Sequence, residues 1–253
     1  MLIGIRGGIV VKVLGVNGSP RKYGETYKLL MLALEAAREE GAETELINLY
    51  DMDIKPCIGC LSDNQLACRY PCIYEDDMKK LYDKILKANA LIIATPIYWF
   101  SVSGVLKNFI DRLTVFENMI YITGRSWVEG KVAGFIAVGN DSGAIQVIAN
   151  LMAILNAMGF IIPPWAMAYF NARGNVLEDE GSVMDALNVG RIVTITARIV
   201  EEVKEWYKMY SKEQVNKYKQ LIAKITTDNR DKYFPMREKF YARLLTRTYR
   251  SQH

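Results

Sequence analysis

Ile9-Val10-Val11-Lys12-Val13-Leu14-Gly15-Val16-Asn17-Gly18-Ser19-Pro20-Arg21-Lys22-Tyr23-Gly24-Glu25-Thr26 is the stretch from which the fold of this chain is read. Its first half is an apolar run of the length of a buried strand. Gly18, Ser19 and Pro20 then turn the chain, and from about Glu25 to Glu40 the residues Leu29, Leu30, Leu32, Leu34, Ala36 and Ala37 recur at helical spacing until Gly41 ends the helix. A strand that turns directly into a helix gathers free backbone N–H groups, hydroxyls and the positive end of the helix dipole around one point. With the Arg21 guanidinium added, such a turn suits a phosphate. It lacks the Gly-Lys-Ser/Thr ending of a triphosphate loop and the GxGxxG spacing of a dinucleotide loop. The remaining fit is a mononucleotide such as FMN. The plainer alternative is an ordinary strand-to-helix turn with Thr26 as a first-turn hydroxyl.

Outward from this turn the chain alternates strand and helix. Glu43–Leu49 alternates as a second strand, a cysteine-bearing loop runs from about Asp51 to Glu75, and Asp76-Asp77 open a helix through Leu81 and Ile85. Ala90-Leu91-Ile92-Ile93-Ala94 reads as a central parallel strand, covered on both faces. Thr95–Gly104 leads into a helix through Leu106, Phe109, Ile110 and Leu113, in which Asp111 and Arg112 read as a structural ion pair. Val132–Val138 is a fourth strand, ending in Gly139-Asn140-Asp141-Ser142-Gly143. A helix from about Ala144 to Met158 precedes a fifth strand expected near Phe160-Ile161-Ile162, and a last helix spans roughly Ser182–Tyr207. The pattern implies an α/β chain with a doubly wound five-stranded parallel sheet. The loops after the first, third and fourth strands then share the carboxyl edge, where such sheets bind ligands.

Residues 208–253 depart from this pattern, so a domain of residues 1–207 and a basic helical extension are expected. Lys212–Ile225 reads as one helix, Thr226–Arg230 as a break, and Arg237–Tyr249 as another helix. Residues 203–253 carry 13 Lys/Arg against 5 Asp/Glu, and the rest of the chain 19 against 23. No nucleic-acid motif accompanies this basic segment, so a solvated face with long cationic side chains over apolar surface is the expected reading. At 253 residues, 51% apolar and 24% charged, the composition is that of an ordinary globular protein. No apolar run reaches membrane-spanning length and no signal peptide is read at the start, which makes the cytoplasm the expected location. The only histidine is His253, so histidine-based triads, general bases and metal sites are disfavoured.

Cys57, Cys60, Cys68 and Cys72 are the only cysteines, and all fall in one loop. Four clustered thiols suit an iron–sulfur cluster or a structural zinc ion, with free thiols and disulfides as the alternatives. Disulfides are unusual in a cytosolic chain outside hyperthermophiles.

With these loops in place, the chain resembles the flavodoxin-like NAD(P)H-dependent FMN reductases, and most nearly their iron–sulfur flavoprotein branch. The resemblance is carried by Gly18-Ser19-Pro20-Arg21 with Gly24 and Thr26, by Pro56-Cys57-Ile58-Gly59-Cys60, and by Cys72 with Asp76-Asp77-Met78. It extends through Thr95–Ser103 and Lys107-Asn108-Phe109-Ile110-Asp111-Arg112, covering roughly residues 10–205. It implies that Ser19, Arg21 and Thr26, with Gly24 and Glu25 in the same turn, hold the FMN phosphate. It implies that Pro96, Ile97, Tyr98, Trp99, Phe100 and Ser103 line the isoalloxazine ring, approached by Gly139, Asn140 and Asp141. It further implies NAD(P)H as donor, a small-molecule or protein acceptor, a homodimer or homotetramer, and a [4Fe–4S] cluster on Cys57, Cys60, Cys68 and Cys72. In that branch the cysteines run CxxCxxC with a fourth after a short gap; here Asp63 stands at the third place, and seven residues separate Cys60 from Cys68. The leading reading is an FMN-dependent oxidoreductase with a cluster. The alternatives are a cluster-free flavin or quinone reductase, and a non-enzymatic flavodoxin-like module docking through the basic tail.

Overall fold

The apolar run after Ile9 becomes strand β1 (Lys12–Asn17), and four further strands join it in one parallel sheet. A computed structural model describes residues 10–203, 206 and 208–250, so His253 lies outside the described residues. The chain divides into two compact units, 1–207 and 208–253. In the first unit β1 is followed by α1 (Glu25–Glu39), β2 (Glu43–Asn48), α2 (Cys60–Asp63), α3 (Met78–Lys87) and β3 (Ala90–Pro96). Then come α4 (Gly104–Arg112), α5 (Thr114–Glu117), α6 (Met119–Thr123), β4 (Val132–Gly139), α7 (Ala144–Ala157), β5 (Met167–Asn171) and α8 (Glu180–Val200). The strand order is β2-β1-β3-β4-β5, with every pair parallel. The doubly wound five-stranded sheet is therefore present. Its order reverses between β1 and β3, where a crevice opens at the strands' carboxyl ends.

Burial on both faces explains the continuous apolar strands. On β3, Leu91 and Ile93 face one core together with Leu81 and Ile85 of α3, Phe109 of α4 and Leu151 of α7. Ala90, Ile92 and Ala94 face the other core, with Leu30 and Ala33 of α1 and Val189 and Val193 of α8. Alternate side chains thus feed two cores, as a period of two requires. The second core is tight. A Cβ added to Gly190 of α8 would lie 1.8 Å from the carbonyl oxygen of Ala33 in α1, so only glycine permits these helices to touch.

Two expectations are corrected. The fifth strand is Met167–Asn171, not Phe160–Ile162. Ile161 makes only an isolated parallel bridge to Val132, because Pro163-Pro164 ends pairing there and the chain must pass Trp165, whose φ is +64°, before a strand can form. In the second unit the expected break at Thr226–Arg230 is absent, and α9 runs continuously from Lys212 to Arg250. Thr226 and Thr227 donate their hydroxyls to the carbonyls of Ile222 and Ala223, four residues back, and so extend the helix rather than interrupt it. Its start carries a reciprocal cap. Ser211 accepts from the Gln214 amide, and the Gln214 side chain accepts from the Ser211 amide. Among the described residues no helix is long and apolar enough to cross a membrane.

Candidate functional site

Four loops at the carboxyl edge of the sheet enclose a cleft of about 420 Å³, within the range of small-molecule sites. The first loop follows β1 and is fixed by Asn17, which is fully buried. Its side-chain oxygen accepts from the Ser19 amide at 3.0 Å, and its side-chain nitrogen donates to Asn48 of β2 at 2.9 Å. The Ser19 hydroxyl accepts in turn from the Arg21 amide, and the Gly24 amide closes the turn onto the Arg21 carbonyl. Gly18 passes so close to β3 that an added Cβ would meet the Ala94 carbonyl and Leu106 at 3.1 Å. No side chain caps α1. Its first-turn amides therefore point into the cleft along with the positive end of the helix.

Ser19, Arg21, Gly24, Glu25 and Thr26 all line this cleft, and they face Pro96, Ile97 and Tyr98 from the loop after β3 and Gly139 and Asn140 from the end of β4. The Ile97 amide donates to Val138 at 2.7 Å, holding the second and third loops together. Glu25 lines the cleft but already has partners: it accepts from the Val176 amide and pairs with Lys28. Four expected residues lie elsewhere. Ser103 is buried, and its hydroxyl donates to the Gly18 carbonyl at 2.7 Å, so it locks the first loop to the second. Asp141, Trp99 and Phe100 are not among the lining residues.

Trp99 and Phe100 occupy the two central places of a tight turn closed by reciprocal backbone bonds between Tyr98 and Ser101. Both sit in left-handed conformations, φ +52° and +61°, which bulky residues rarely adopt. Trp99 is 95% exposed, and the Phe100 ring lies over Gly143.

Sequence reasoning missed the fourth loop, Ala172-Arg173-Gly174, which completes the cleft after β5. Misplacing β5 hid it. The Asn171–Gly174 turn behind the alternating Met167–Phe170 was the available signal. Arg173 adds a second guanidinium to a site that already holds Arg21.

The cysteine loop forms a separate site. Cys57, Cys60, Cys68 and Cys72 line one small cavity together with Ile58, Ile73, Tyr74, Arg112 and Val115. All four are free thiols. Burial, and then the neighbouring thiols of Cys60, Cys57 and Cys72, push the Cys68 thiol up to about 12. Among the described residues no three His, Cys, Asp or Glu side chains stand preassembled around a metal position. The loop itself is held firmly. Buried Asn118 donates to the carbonyls of Gln65 and Cys68, and Tyr70 packs against Phe116, Tyr82 and Trp127.

The expected Asp111–Arg112 pair is not formed. Exposed Asp111 pairs with Lys107 one helical turn back. Arg112 turns inward to make a two-pronged pair with Asp76, at 2.6 and 3.1 Å, with both side chains enclosed. Burial acts against the Asp76 carboxylate, but Arg112 and the Lys55 and Met78 amides outweigh it and hold its carboxyl below the usual range.

The comparisons with known proteins agree with this geometry. The family model of NADPH-dependent FMN reductases matches residues 11–172. An iron–sulfur flavoprotein of Methanocaldococcus jannaschii is 32% identical over 199 residues, covering 76% of this chain and 100% of that protein. One from Archaeoglobus fulgidus is 29% identical over 217 residues, covering 85% and 91%. Among solved structures, RosB with bound 8-demethyl-8-formylriboflavin-5'-phosphate superposes with a TM-score of 0.66 at 22% identity, over 80% of this chain and 92% of that one. At that identity the likeness shows the fold.

Proposed function

This chain belongs to the NADPH-dependent FMN reductase family, in its iron–sulfur flavoprotein branch, and on that premise we propose that it passes electrons from NAD(P)H through FMN to an acceptor by way of its four-cysteine site. The observation that carries the FMN reading is the meeting of four strand-end loops around one cleft that holds Arg21, Arg173 and the uncapped start of α1. That cleft fits a phosphorylated flavin in charge and in size. Ser19, Arg21 and the amides of Glu25 and Thr26 would hold the phosphate, while Ile97, Tyr98 and Val138 offer apolar surface to a flat ring. Gly139 and Asn140 line the same cleft beside Ile97, and only a glycine fits there, since an added Cβ at Gly139 would meet the Ile97 side chain at 2.8 Å.

FMN, when bound, accepts a hydride from a nicotinamide and yields the electrons singly or in pairs. The protein's task in that reaction is to bind, to orient and to exclude water. Asn17, Ser103 and Glu25 do this indirectly by fixing the loops that carry the binding groups. Four thiols around one cavity also fit a [4Fe–4S] cluster in number and chemistry, and cysteine binds such a metal as the thiolate. Such a cluster would supply single-electron exchange with a partner.

A second reading keeps the flavin chemistry without a cluster, as a reductase of flavin, quinone or small electrophiles. The lack of a preassembled metal position among the described residues favours it. Flavin, iron and acid-labile sulfide measured on anaerobically purified protein separate the two. One FMN with about four iron atoms per chain supports the first reading, and FMN without iron after anaerobic reconstitution supports the second.

A further inference from the structure

Arg112 is fully enclosed, and its guanidinium is held from several sides. One terminal nitrogen donates to Asp76 and to the Lys55 carbonyl, the other donates to the second Asp76 oxygen, and the plane lies over the Tyr74 ring at 4.8 Å. Among the described residues no acceptor meets its Nε, although that atom is buried. A buried donor without an acceptor is costly and rare. Here it belongs to a residue that lines the same cavity as the four cysteines.

We propose that Arg112 is the positioning and tuning residue of the cysteine site. Its Nε–H serves sulfur, Cys72 thiolate or cluster sulfide, and because Arg112 lines the cavity while its partner Asp76 does not, the positive end of the pair faces the negative charge that gathers there. Asp76, Lys55 and Tyr74 are the frame that aims it. The physical grounds are general. Four thiolates around an iron–sulfur core carry net negative charge, and each added electron raises it. A fixed cation and an N–H donor at sulfur favour the reduced form and so raise the reduction potential. A lysine could supply the charge but not the planar fork.

This inference rests on the proposed cluster, and its test separates the two. Iron and sulfide are measured first on reconstituted wild-type protein. Their absence overturns the cluster reading, and this proposal with it. On loaded protein, the midpoint potential and the electron paramagnetic resonance signal of the reduced cluster are compared with those of the double variant Arg112→Gln/Asp76→Asn, which removes both charges and keeps polar atoms in place. The reduced-to-oxidised ratio at a fixed poise is expected to fall about tenfold, which for one electron corresponds to about 59 mV. Unchanged potential and signal with full iron content overturn the proposal and leave the cluster standing. Where the double variant does not retain iron, Arg112→Lys decides. It keeps the charge and the pair with Asp76 but lacks the Nε–H, and a lowered potential supports the proposal while wild-type values overturn it.

Discussion

Gly190→Ala is the perturbation whose size follows most directly from the structure. The added Cβ would lie 1.8 Å from the Ala33 carbonyl oxygen, 2.7 Å from its carbon and 3.0 Å from its Cα, all of them backbone atoms that cannot rotate away. Ordinary contact between such atoms is about 3.4 Å, so α1 and α8 must separate by roughly 1.6 Å along that line. Forcing a packed core apart costs about 3 kcal/mol, the upper part of the usual range for overpacking, since no side chain can absorb the strain. Alanine recovers about 1 kcal/mol through its better helix propensity. The net loss is about 2 kcal/mol, which for a unit of this size lowers the melting temperature by roughly 4–8 °C. A circular dichroism melt of both proteins measures it. Because α1 carries the proposed phosphate site at its first turn, flavin affinity should fall in the same variant. A melting temperature equal to or above wild type would mean that the helices do not touch at Gly190, and the close α1–α8 packing would be refuted.

Arg21→Ala should weaken FMN binding by about 1.5–3 kcal/mol, a tenfold to hundredfold rise in Kd by fluorescence titration, through loss of charge-assisted phosphate bonds. Cys57→Ser should lower the iron retained after reconstitution, measured by colorimetric iron analysis, and unchanged iron would remove Cys57 from the ligand set. The Asp76 carboxyl titrates below its unfolded value near 3.9, so its contribution is complete above that pH and is lost as pH falls through the lower folded value. Urea melts of Asp76→Asn should accordingly show a deficit of about 3–5 kcal/mol near neutrality that narrows as pH falls through the lowered folded value. A deficit independent of pH would mean that the Arg112 pair is not its source.

The sequence made the centre of the sheet legible because β1, β3 and β4 are buried on both faces and so are written as unbroken apolar runs. β5 sits at the edge with residues alternately exposed and buried, and its pattern is weaker than that of the apolar Phe160–Ile162 just before it. That error hid Ala172–Gly174 and with it Arg173. The phosphate turn was readable because its groups are neighbours in the chain. The Asp76–Arg112 pair was not, since 36 residues separate the partners and Asp111 offered a nearer carboxylate. Local spacing also cannot tell whether a polar stretch ends a helix, and in α9 the threonine hydroxyls turned back onto the helix instead.

The most direct test of the central claim is a paired titration of flavin-free protein with FMN and with riboflavin, followed by flavin fluorescence. The account predicts saturation at one FMN per chain and binding of riboflavin at least about tenfold weaker, because only FMN carries the phosphate that Arg21 and the start of α1 would grip. Equal affinity for the two, or no binding of either, would contradict it.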